Sequence, residues 1–360
     1  MPPVILTTRL PGSFGVDASE TSPGPPSSPR ANKDHPPRMP IRLGFIGYGI
    51  MGERLLRAAL AHDPNVIAVA GVWDPSSGAM ARLAGDLPDV AQRASAEALV
   101  EASDCVYIAS PPASHLDHAR RAFVAGRAVF CEKPLGIDLA DSRRFVAEAD
   151  AHGARSAVNF PFASSFAVDQ LKAWMADGTL GDIRSLRIEA AFAAWPRPFQ
   201  ADAAAWLDGR AEGGGTRVVV SPFLFLARRL LGPLRLDRAA VEYLDAGRSE
   251  ASVEAGLAAG STPIVLTGAV GKGDQPDHNL WILTGSAGSA RIRDWAVAER
   301  FGASGWTEAP DARPNEEIRP LVLRRQLDKV AAMTRGEPHD LATVREALDV
   351  QEIVEAILRA

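Results

Sequence analysis

The sequence predicts an α/β fold, in which an N-terminal doubly wound parallel sheet precedes a second α+β domain with a large, mostly antiparallel open sheet. Between residues 41 and 160, short apolar runs alternate with helical patterns, as in parallel sheets with crossover helices. Between residues 238 and 295, apolar runs follow one another across short turns, which is typical of antiparallel pairing. The chain of 360 residues is long enough for both domains.

The first strand-like run, Ile41–Ile46, leads into a glycine-rich turn and then directly into a helical pattern. The turn carries Gly47, Gly49 and Gly52 in the spacing G-x-G-x-x-G. In such a turn the first glycine permits the tight bend, the second lets a pyrophosphate approach the backbone, and the third lets helix and strand pack closely. The N-terminus of the helix adds unpaired N–H groups and a partial positive charge, which favour phosphate.

An acidic residue ends the second apolar run, 66–73, where it would bind the adenosine ribose of a dinucleotide. Asp74 follows Gly52 by 22 residues, the usual spacing in a Rossmann unit. A glycine turn without a ligand is the alternative, but the strand, helix and acid around this turn favour a ligand. The sequence therefore predicts NAD at Gly47, Tyr48, Gly49, Ile50, Met51, Gly52 and Asp74. NAD is favoured over NADP because a carboxylate repels a 2′-phosphate, and the segment after Asp74 supplies no arginine for that phosphate.

The remaining elements of the first domain follow the same alternation. Helices are predicted over 77–84, 95–102, 114–126 and 138–152, and strands over 104–109, 127–131 and 155–160. Ser114-His-Leu-Asp117 is predicted to be a capping box, and Asp138 is predicted to be an N-cap. Ligands bind beyond the carboxyl ends of parallel strands, so the residues after each strand should share one rim with the glycine turn.

The second half of the chain is predicted to hold a helix at 166–175 and two closing helices at 316–334 and 341–359. Its strand candidates are 183–193, 238–244, 251–258, 263–270, 279–284 and 290–295. We expect four parts: a disordered tail (1–38), a NAD-binding Rossmann domain (39–157), a substrate and oligomerisation domain (158–314) and C-terminal helices (315–360). The tail prediction depends on its Pro-, Ser- and Gly-rich composition. An exposed face of the second sheet would favour a homodimer or homotetramer.

Charge and composition argue against several classes of protein. A net charge of −5, without a basic run carrying interleaved aromatics, argues against nucleic-acid binding. The seven histidines form no cluster with ligand spacing, so no metal site is predicted. No apolar run has the length of a membrane span or the form of a signal peptide, so we expect no membrane partner and a cytoplasmic protein. Cys105 and Cys131 lie in apolar runs, as expected of buried thiols.

Four segments resemble those of the Gfo/Idh/MocA family, the glucose–fructose oxidoreductase and inositol dehydrogenase group. They are the glycine turn; Ser110-Pro-Pro-Ala-Ser-His115, similar to Thr-Pro-x-x-x-His; the run from Gly126 to Pro134, similar to Gly-Lys-x-Val-x-x-Glu-Lys-Pro; and Gly178-Thr-Leu-Gly181. The resemblance covers the chain from Met39 onward. It implies a pyridine-nucleotide oxidoreductase that acts on a sugar, polyol or related carbonyl compound.

The resemblance assigns the catalytic role to Lys133, which matches the family lysine that hydrogen-bonds the reacting oxygen. An ammonium beside the positive nicotinamide has a lowered pKa, stabilises a developing alkoxide and can exchange its proton. Pro134 is expected to follow a cis peptide bond, as in relatives. Further cofactor contacts, besides one from Lys133 itself, are expected from Ser110, Pro111, His115 and Glu132. A structural role is an equally good interpretation of His115.

The segment after the glycine pair departs from the family pattern. Relatives continue with Asp-x-Gly-x-His, whose histidine accepts the proton. Here the segment is Glu212-Gly-Gly-Gly-Thr-Arg-Val-Val-Val-Ser-Pro-Phe, so the aspartate position falls at Val218 or Val219 and the histidine position at Pro222 or Phe223. The usual Asp/His proton relay is therefore absent.

Substrate contacts are expected from Asn159, Trp195 and Arg217. An amide, an aromatic face and a guanidinium fork suit polyhydroxylated or carboxylated ligands, although packing or solvation also explains Trp195 and Arg217. Asn159 stands where relatives carry Arg-Phe. Asp202 or Asp208 could replace the missing base, although an exposed carboxylate is the simpler interpretation of each.

Three functions remain open at this point. The first is an NAD-dependent oxidoreductase in which Lys133 polarises the reacting oxygen of a sugar-like substrate. The second is a catalytically silent protein that binds the dinucleotide and reports its redox state to a partner. The third is a reductase that needs only electrostatic help and takes its proton from water.

Overall fold

The first sheet is parallel throughout and holds the predicted glycine turn at its centre. The computed structural model describes residues 39–271 and 277–360, so the predicted tail lies outside the described residues. The strands are β1 (Ile41–Ile46), β2 (Ile67–Trp73), β3 (Cys105–Ile108), β4 (Ala128–Glu132) and β5 (Ser156–Asn159). They lie in the order β2-β1-β3-β4-β5, and a parallel bridge between Val72 and Gln92 extends the edge beyond β2. This is the strand order of a dinucleotide-binding sheet.

Helices cover both faces of this sheet, as predicted. They are α1 (Ile50–Leu60), α2 (Ser77–Asp86), α3 (Ala96–Ala102), α4 (His115–Val124) and α5 (Leu139–Ala151). Three of them begin at residues whose side-chain oxygen accepts a backbone N–H of the first turn: Ser76, Ser95 and Asp138. The N-cap predicted at Asp138 is therefore confirmed.

The capping box predicted at Ser114 is wrong. Ser114 has helical backbone angles (φ −102°, ψ −4°) and makes no side-chain hydrogen bond to α4. Side-chain capping needs a residue with extended backbone, which turns its oxygen over the first turn of the helix. Here a short 3₁₀ turn, Pro112–Ser114, runs straight into α4. The Ser114 hydroxyl lies 2.7 Å from Ser110 Oγ and 2.9 Å from the Pro111 carbonyl oxygen, so it stabilises the preceding loop instead.

The second sheet has eight strands and is mostly antiparallel, as predicted. They are β6 (Ile183–Phe192), β7 (Leu234–Glu242), β8 (Ser252–Ala259), β9 (Thr262–Val270), β10 (His278–Gly285), β11 (Ser289–Arg293), β12 (Val297–Gly302) and β13 (Gly305–Glu308). The order is β13-β12-β11-β10-β6-β9-β8-β7, and β6 with β9 is the parallel pair. The sequence did not predict β12 and the edge strand β13, because these short strands carry charged and glycine residues in place of an apolar run.

Five helices complete the described fold and join the two sheets. They are α6 (Phe166–Ala176), α7 (Ala204–Leu207), α8 (Ser221–Leu231), α9 (Asn315–Arg335) and α10 (Val344–Leu358), with a π-helical turn, Thr216–Val220, before α8. Helix α9 packs on α1, and α10 packs on α5, α8 and β7. Residues 39–360 form one compact unit, so the domain limits at 157 and 314 stay predictions. Within the described part of the chain, no helix combines the length and apolarity that a membrane crossing requires.

Candidate functional site

Backbone geometry requires glycine at two positions of the turn and leaves the third open. Gly47 has φ +98°, and a Cβ there would lie 2.7 Å from the Ala109 carbonyl oxygen. A Cβ on Gly52 would lie 2.0 Å from the Gly47 carbonyl oxygen, where α1 packs on the turn. A Cβ on Gly49, which precedes α1, would meet nothing within 4 Å. The turn therefore offers open space at a helix N-terminus, which fits the phosphates of a dinucleotide.

Asp74 lies at the carboxyl end of β2 and is bonded to the glycine turn. One carboxylate oxygen accepts the Tyr48 N–H at 2.8 Å, and the other accepts the Ser76 N–H at 2.8 Å. Each oxygen keeps a further lone pair for a ribose hydroxyl. Arg82 donates to the Tyr48 carbonyl oxygen at 2.6 Å, and its guanidinium lies 5.2 Å from the centre of the Tyr48 ring. The Arg82 guanidinium is therefore bonded to Tyr48, the residue whose N–H is bonded to Asp74 at the predicted ribose site.

His115 links two loops of the rim. Its side chain is 1% exposed, and Nδ1 lies 2.8 Å from the Pro134 carbonyl oxygen while Nε2 lies 2.8 Å from the Ser110 carbonyl oxygen. Burial lowers the pKa of His115 to about 4, so the ring is neutral near pH 7 and only one nitrogen carries a proton. His115 therefore lies between the loop after β3 and the loop after β4 and donates a hydrogen bond to one of them.

Lys133 follows β4 and is joined to Pro134 by a cis peptide bond, as expected. Its half-buried side chain reaches the π-helical turn, where Nζ donates to the Val218 carbonyl oxygen at 2.8 Å. Burial lowers the pKa of Lys133 to about 8; the charge of Glu132 opposes this shift and that of Arg197 adds to it. The amine can therefore lose and regain a proton near neutral pH.

A chain of buried polar side chains lies behind Lys133. Glu132 Oε1 accepts hydrogen bonds from the Tyr107 hydroxyl at 2.5 Å and from Asn159 Nδ2 at 2.6 Å. Gln326 Nε2, on α9, donates to Asn159 Oδ1 at 2.6 Å. Burial raises the pKa of Glu132, although the Lys133 charge and these hydrogen bonds oppose the shift. The structure thus brings Glu132, Asn159 and Lys133 together.

Two of these buried polar side chains, Tyr107 and Gln326, are not predicted by the sequence. Tyr107 lies inside a fully buried strand, and its hydroxyl was the one signal that a polar partner had to lie beside it. Gln326 is 167 residues away from Asn159 in the sequence. No local pattern relates two residues so far apart, so only the packing of α9 reveals their contact.

Apolar groups occupy the positions at which the family relay would lie. Val219 and Phe223 are 1% and 0% exposed, and the Phe223 ring packs 4.7 Å from the Trp295 ring between centroids. In the other alignment, Val218 is half-buried and Pro222 is buried. Neither alignment provides a carboxylate or an imidazole, and the contact to Lys133 in this turn comes from a backbone carbonyl oxygen.

The other two predicted substrate contacts have different surroundings. Arg217 forms an ion pair with Glu355 of α10 at 2.6 Å and donates to two backbone carbonyl groups, so the structure does not bring its guanidinium to Lys133. Trp195 is half-buried in the loop after β6. Its Nε1 is buried and has no hydrogen-bond partner among the described residues, which leaves a donor for a ligand.

The two carboxylates considered as replacement bases give no clear substitute. Asp208 pairs with Arg248 at 2.7 Å and accepts hydrogen bonds from Ser249. The side chain of Asp202 lies outside the described residues. Over residues 39–271 and 277–360, no group of three or more His, Cys, Asp or Glu side chains could hold a metal ion.

The residues of the first sheet and its rim match a known family profile. Residues 41–160 match the profile GFO_IDH_MocA, described as "Oxidoreductase family, NAD-binding Rossmann fold". Over this range, a third of the chain, the sequence is similar to the Gfo/Idh/MocA oxidoreductases. The matched profile is that of NAD-binding oxidoreductases, and the resemblance found in the sequence is confirmed over residues 41–160.

Similarity to one curated protein extends over most of the chain. The rhizopine catabolism protein MocA of Rhizobium meliloti is 25% identical over 329 residues, which cover 88% of this chain and 93% of MocA. An inositol 2-dehydrogenase of Cereibacter sphaeroides is 36% identical over 120 residues, 32% of this chain and 35% of that enzyme. The match to this dehydrogenase thus covers only about a third of its length.

A solved structure confirms the fold of this chain. An oxidoreductase from Agrobacterium radiobacter, in complex with NAD+, L-tartaric acid and magnesium, superposes with a TM-score of 0.75 at 17% identity. The superposition covers 89% of this chain and 95% of that protein. The predicted fold class, a parallel dinucleotide-binding sheet followed by a large and mostly antiparallel sheet, is therefore confirmed.

Proposed function

We propose that this chain is an NAD-dependent oxidoreductase that moves hydride to or from a sugar, polyol or related carbonyl compound, with Lys133 at the reacting oxygen. The observation that carries the proposal is a half-buried lysine at the end of β4, on the same rim as an open phosphate-binding turn. Two similar proteins, one named inositol 2-dehydrogenase and one solved with NAD+ and L-tartaric acid, support this class of substrate.

The turn after β1 and the end of β2 would hold the cofactor. The open face of Gly49 and the N-terminus of α1 suit the pyrophosphate, and Asp74 suits the ribose hydroxyls, which favours NAD over NADP. Bound NAD would supply the site that accepts or returns the hydride. The protein's own part is to orient the substrate and to handle the proton.

Lys133 handles that proton at the substrate oxygen. When a hydroxyl is oxidised, the neutral amine accepts the hydroxyl proton while the carbon loses hydride; when a carbonyl is reduced, the ammonium returns the proton to the oxygen. The Val218 carbonyl fixes the position of Nζ, and the buried Glu132 favours the ammonium. Without an Asp/His relay, a lysine with a pKa of about 8 performs both roles alone.

Replacing Lys133 tests this proposal. In a screen of sugars, inositols and sugar acids that follows the absorbance of reduced nicotinamide, Lys133→Met should lose about 10²–10⁴-fold in kcat and keep its affinity for NAD. The wild-type rate of oxidation should rise with pH through about 8, because the base must be neutral, and the rate of reduction should fall over the same range. The matched control is Lys172→Met, which removes an exposed lysine of α6.

Two outcomes would contradict the assignment of Lys133. If the Lys133→Met variant keeps the turnover and the pH profile of the wild-type enzyme, the proton comes from water, which is the third function considered above. A protein that binds NAD tightly but turns over no substrate in the screen would not be an oxidoreductase of this kind.

The second candidate function is a dinucleotide-binding sensor without catalysis. One observation favours it: Val219, Pro222 and Phe223 fill the relay positions with buried apolar side chains. A sensor predicts NAD binding without turnover, together with a difference in conformation between the NAD-bound and NADH-bound protein, measurable by limited proteolysis. The half-buried lysine with a lowered pKa favours the enzyme.

We also propose that the second sheet mediates assembly into a homodimer or homotetramer. Its exposed apolar side chains include Val265, 47% exposed, and Phe301, 56% exposed. A sheet face of this kind commonly packs against a second copy of the same chain. Sedimentation equilibrium measures the state directly, and a monomer at micromolar concentration would contradict the proposal.

A further inference from the structure

Three arginines in separate parts of the chain have no acidic partner. Arg54 lies in the first half of α1, Arg197 in the loop after β6, and Arg319 near the start of α9. All three are half-buried, and none forms an ion pair with an Asp or Glu among the described residues. Other half-buried arginines bind a carboxylate, as Arg120, Arg217, Arg229 and Arg291 do, or a backbone carbonyl oxygen, as Arg93, Arg127 and Arg335 do. Arg54, Arg197 and Arg319 have neither kind of acceptor among the described residues.

Aromatic rings and one amide fix the position of Arg197. Its guanidinium lies 5.0 Å from the centre of the Phe192 ring and 4.7 Å from that of Phe199. Its Nε donates to Gln200 Oε1 at 3.2 Å. These contacts fix the guanidinium group of Arg197. Its two terminal nitrogens have no hydrogen-bond acceptor among the described residues. A guanidinium positioned in this way can bind both oxygens of a carboxylate or phosphate.

Arg54 is similarly short of acceptors. Its one hydrogen bond within the described residues is a 3.5 Å contact from Nη1 to the sulfur of Met51, a weak acceptor. The buried carboxylate of Glu132 acts on Arg54 electrostatically, but it is hydrogen-bonded to Tyr107 and Asn159. Arg54 therefore follows the glycine turn without a carboxylate of its own.

Helix α9 packs on α1, so Arg319 and Arg54 lie on neighbouring helices, and the charges of Arg54, Arg197 and Arg319 act on one another. Burial lowers the pKa of Arg54, and the charge of Arg319 lowers it further. Burial also lowers the pKa of Arg197; Asp277 opposes that shift, while Arg54 and Arg319 add to it. The charge of Arg197 in turn acts on Lys133. Like charges held together in a half-buried place repel one another, so a bound anion would stabilise this cluster.

We propose that the substrate carries a carboxylate or phosphate group and that Arg54, Arg197 and Arg319 bind this group, which places the reacting hydroxyl or carbonyl at Lys133. The inference rests on the proposed function and narrows its substrate class from sugar-like compounds in general to acidic ones. The pyrophosphate of NAD is the other anion within reach, since Arg54 adjoins Met51 of the glycine turn. Arg197 and Arg319 belong to the second half of the chain, outside the dinucleotide-binding sheet, and the charge of Arg197 acts on Lys133.

Matched substrates test the inference. With NAD saturating, kcat/KM is measured for glucose, for glucuronate and gluconate, and for glucose 6-phosphate, and then for the same series of inositol compounds. An acidic compound should be preferred over its neutral parent by at least about 10-fold, and the carboxylate and phosphate arms show which group fits. Arg197→Gln and Arg319→Gln should each remove about 10- to 100-fold of that preference, mainly through KM, because each deletes hydrogen bonds between charged groups.

Arg325→Gln is the matched control. Arg325 lies on the same helix as Arg319, but it pairs with Asp169 and its guanidinium lies 4.9 Å from the Phe166 ring centre. This variant should keep the full preference for acidic substrates. The dissociation constant for NAD should be unchanged in Arg197→Gln and Arg319→Gln, which separates a substrate site from a cofactor site.

Three results would overturn the inference. If kcat/KM is as high for neutral compounds as for acidic ones, the acidic site is refuted, and the proposed oxidoreductase activity stands. Arg197→Gln and Arg319→Gln variants that lose affinity for NAD would assign the cluster to the cofactor. If no compound is turned over, calorimetry measures the binding of glucuronate and glucose 6-phosphate to the NAD-bound protein. Binding that Arg197→Gln abolishes would support the acidic site, although the proposed function would fail. If neither compound binds, the acidic site is overturned.

Discussion

At the scale of single residues, Asp74 carries two roles at once. Its two oxygens hold the Tyr48 and Ser76 N–H groups, so the carboxylate shapes the turn on which a dinucleotide would lie. The same oxygens keep lone pairs for ribose hydroxyls and a charge that repels a 2′-phosphate. Arg82, fixed against Tyr48, is the opposing influence, because a guanidinium there would attract that phosphate.

We expect Asp74→Ala to weaken NAD binding by about 1.5–3 kcal/mol, the range for hydrogen bonds to a charged group. Asp74→Asn keeps an acceptor for the turn but loses the charge, so it should mainly reduce the discrimination between NAD and NADP. Fluorescence titration with both cofactors measures the two effects. If the unmodified protein binds NADP more tightly than NAD, the assignment of Asp74 is wrong, and Arg82→Ala should then remove the NADP affinity.

At the scale of elements, the glycines of the turn before α1 have different roles: the first and third are needed for folding, and the second is needed for cofactor binding. The first and third glycines are enclosed by backbone atoms, whereas Gly49 faces open space. A methyl group on the third glycine would therefore force the helix off its strand, while a methyl group on the second would alter only the space above the turn.

This contrast gives a matched pair of variants. Gly52→Ala should destabilise the protein by about 1–3 kcal/mol, the usual range for overpacking, because its Cβ would lie 2.0 Å from the Gly47 carbonyl oxygen. Gly49→Ala should leave the midpoint of urea unfolding unchanged and weaken NAD binding at least about 10-fold, since its methyl group would occupy the approach of the pyrophosphate. Equal effects of the two variants on stability would show that Gly49 is a structural glycine.

Local pattern explains which elements could be predicted from the sequence. The strands of the first sheet are buried on both faces and appear as apolar runs, so each was predicted, together with the glycine turn and the lysine after β4. The strands β12 and β13 were not predicted, because they are short and carry charged and glycine residues. The capping box was predicted wrongly, because Ser114 takes a helical backbone. The hydrogen bonds of Glu132 depend on tertiary packing, which no local period encodes.

At the scale of the whole molecule, the N-terminus of α10 joins β5 of the first sheet to α8. The Ala342 carbonyl just before it accepts the Val158 N–H of β5, which belongs to the first sheet. Glu346, in the first turn of α10, binds Arg229 of α8 through both oxygens, at 2.9 and 2.6 Å, and also accepts the Thr343 N–H at 2.9 Å. One carboxylate therefore caps α10 and holds it on α8.

The charge of Glu346 should make the stability of the whole protein depend on pH. Burial alone would raise the pKa of Glu346, but hydrogen bonds from Arg229 and Thr343 and the charges of Arg228 and Arg229 hold it below its ordinary value. A carboxyl with a lower pKa in the folded state stabilises the protein above its unfolded pKa, and this contribution is lost as pH falls through the folded value. Glu346→Gln should therefore cost about 1.5–3 kcal/mol of unfolding free energy at pH 7 and less at pH 4.

Urea unfolding of both proteins at the two pH values measures this difference. Glu352→Gln is the control on the same helix: Glu352 pairs with Arg143, but both side chains are largely exposed, at 39% and 59%. Exposed ion pairs contribute little because water screens them, so this control should change stability by less than about 1 kcal/mol at either pH. If Glu346→Gln costs the same at pH 4 as at pH 7, the contribution of Glu346 comes from packing and capping, and its charge does not join α10 to α8.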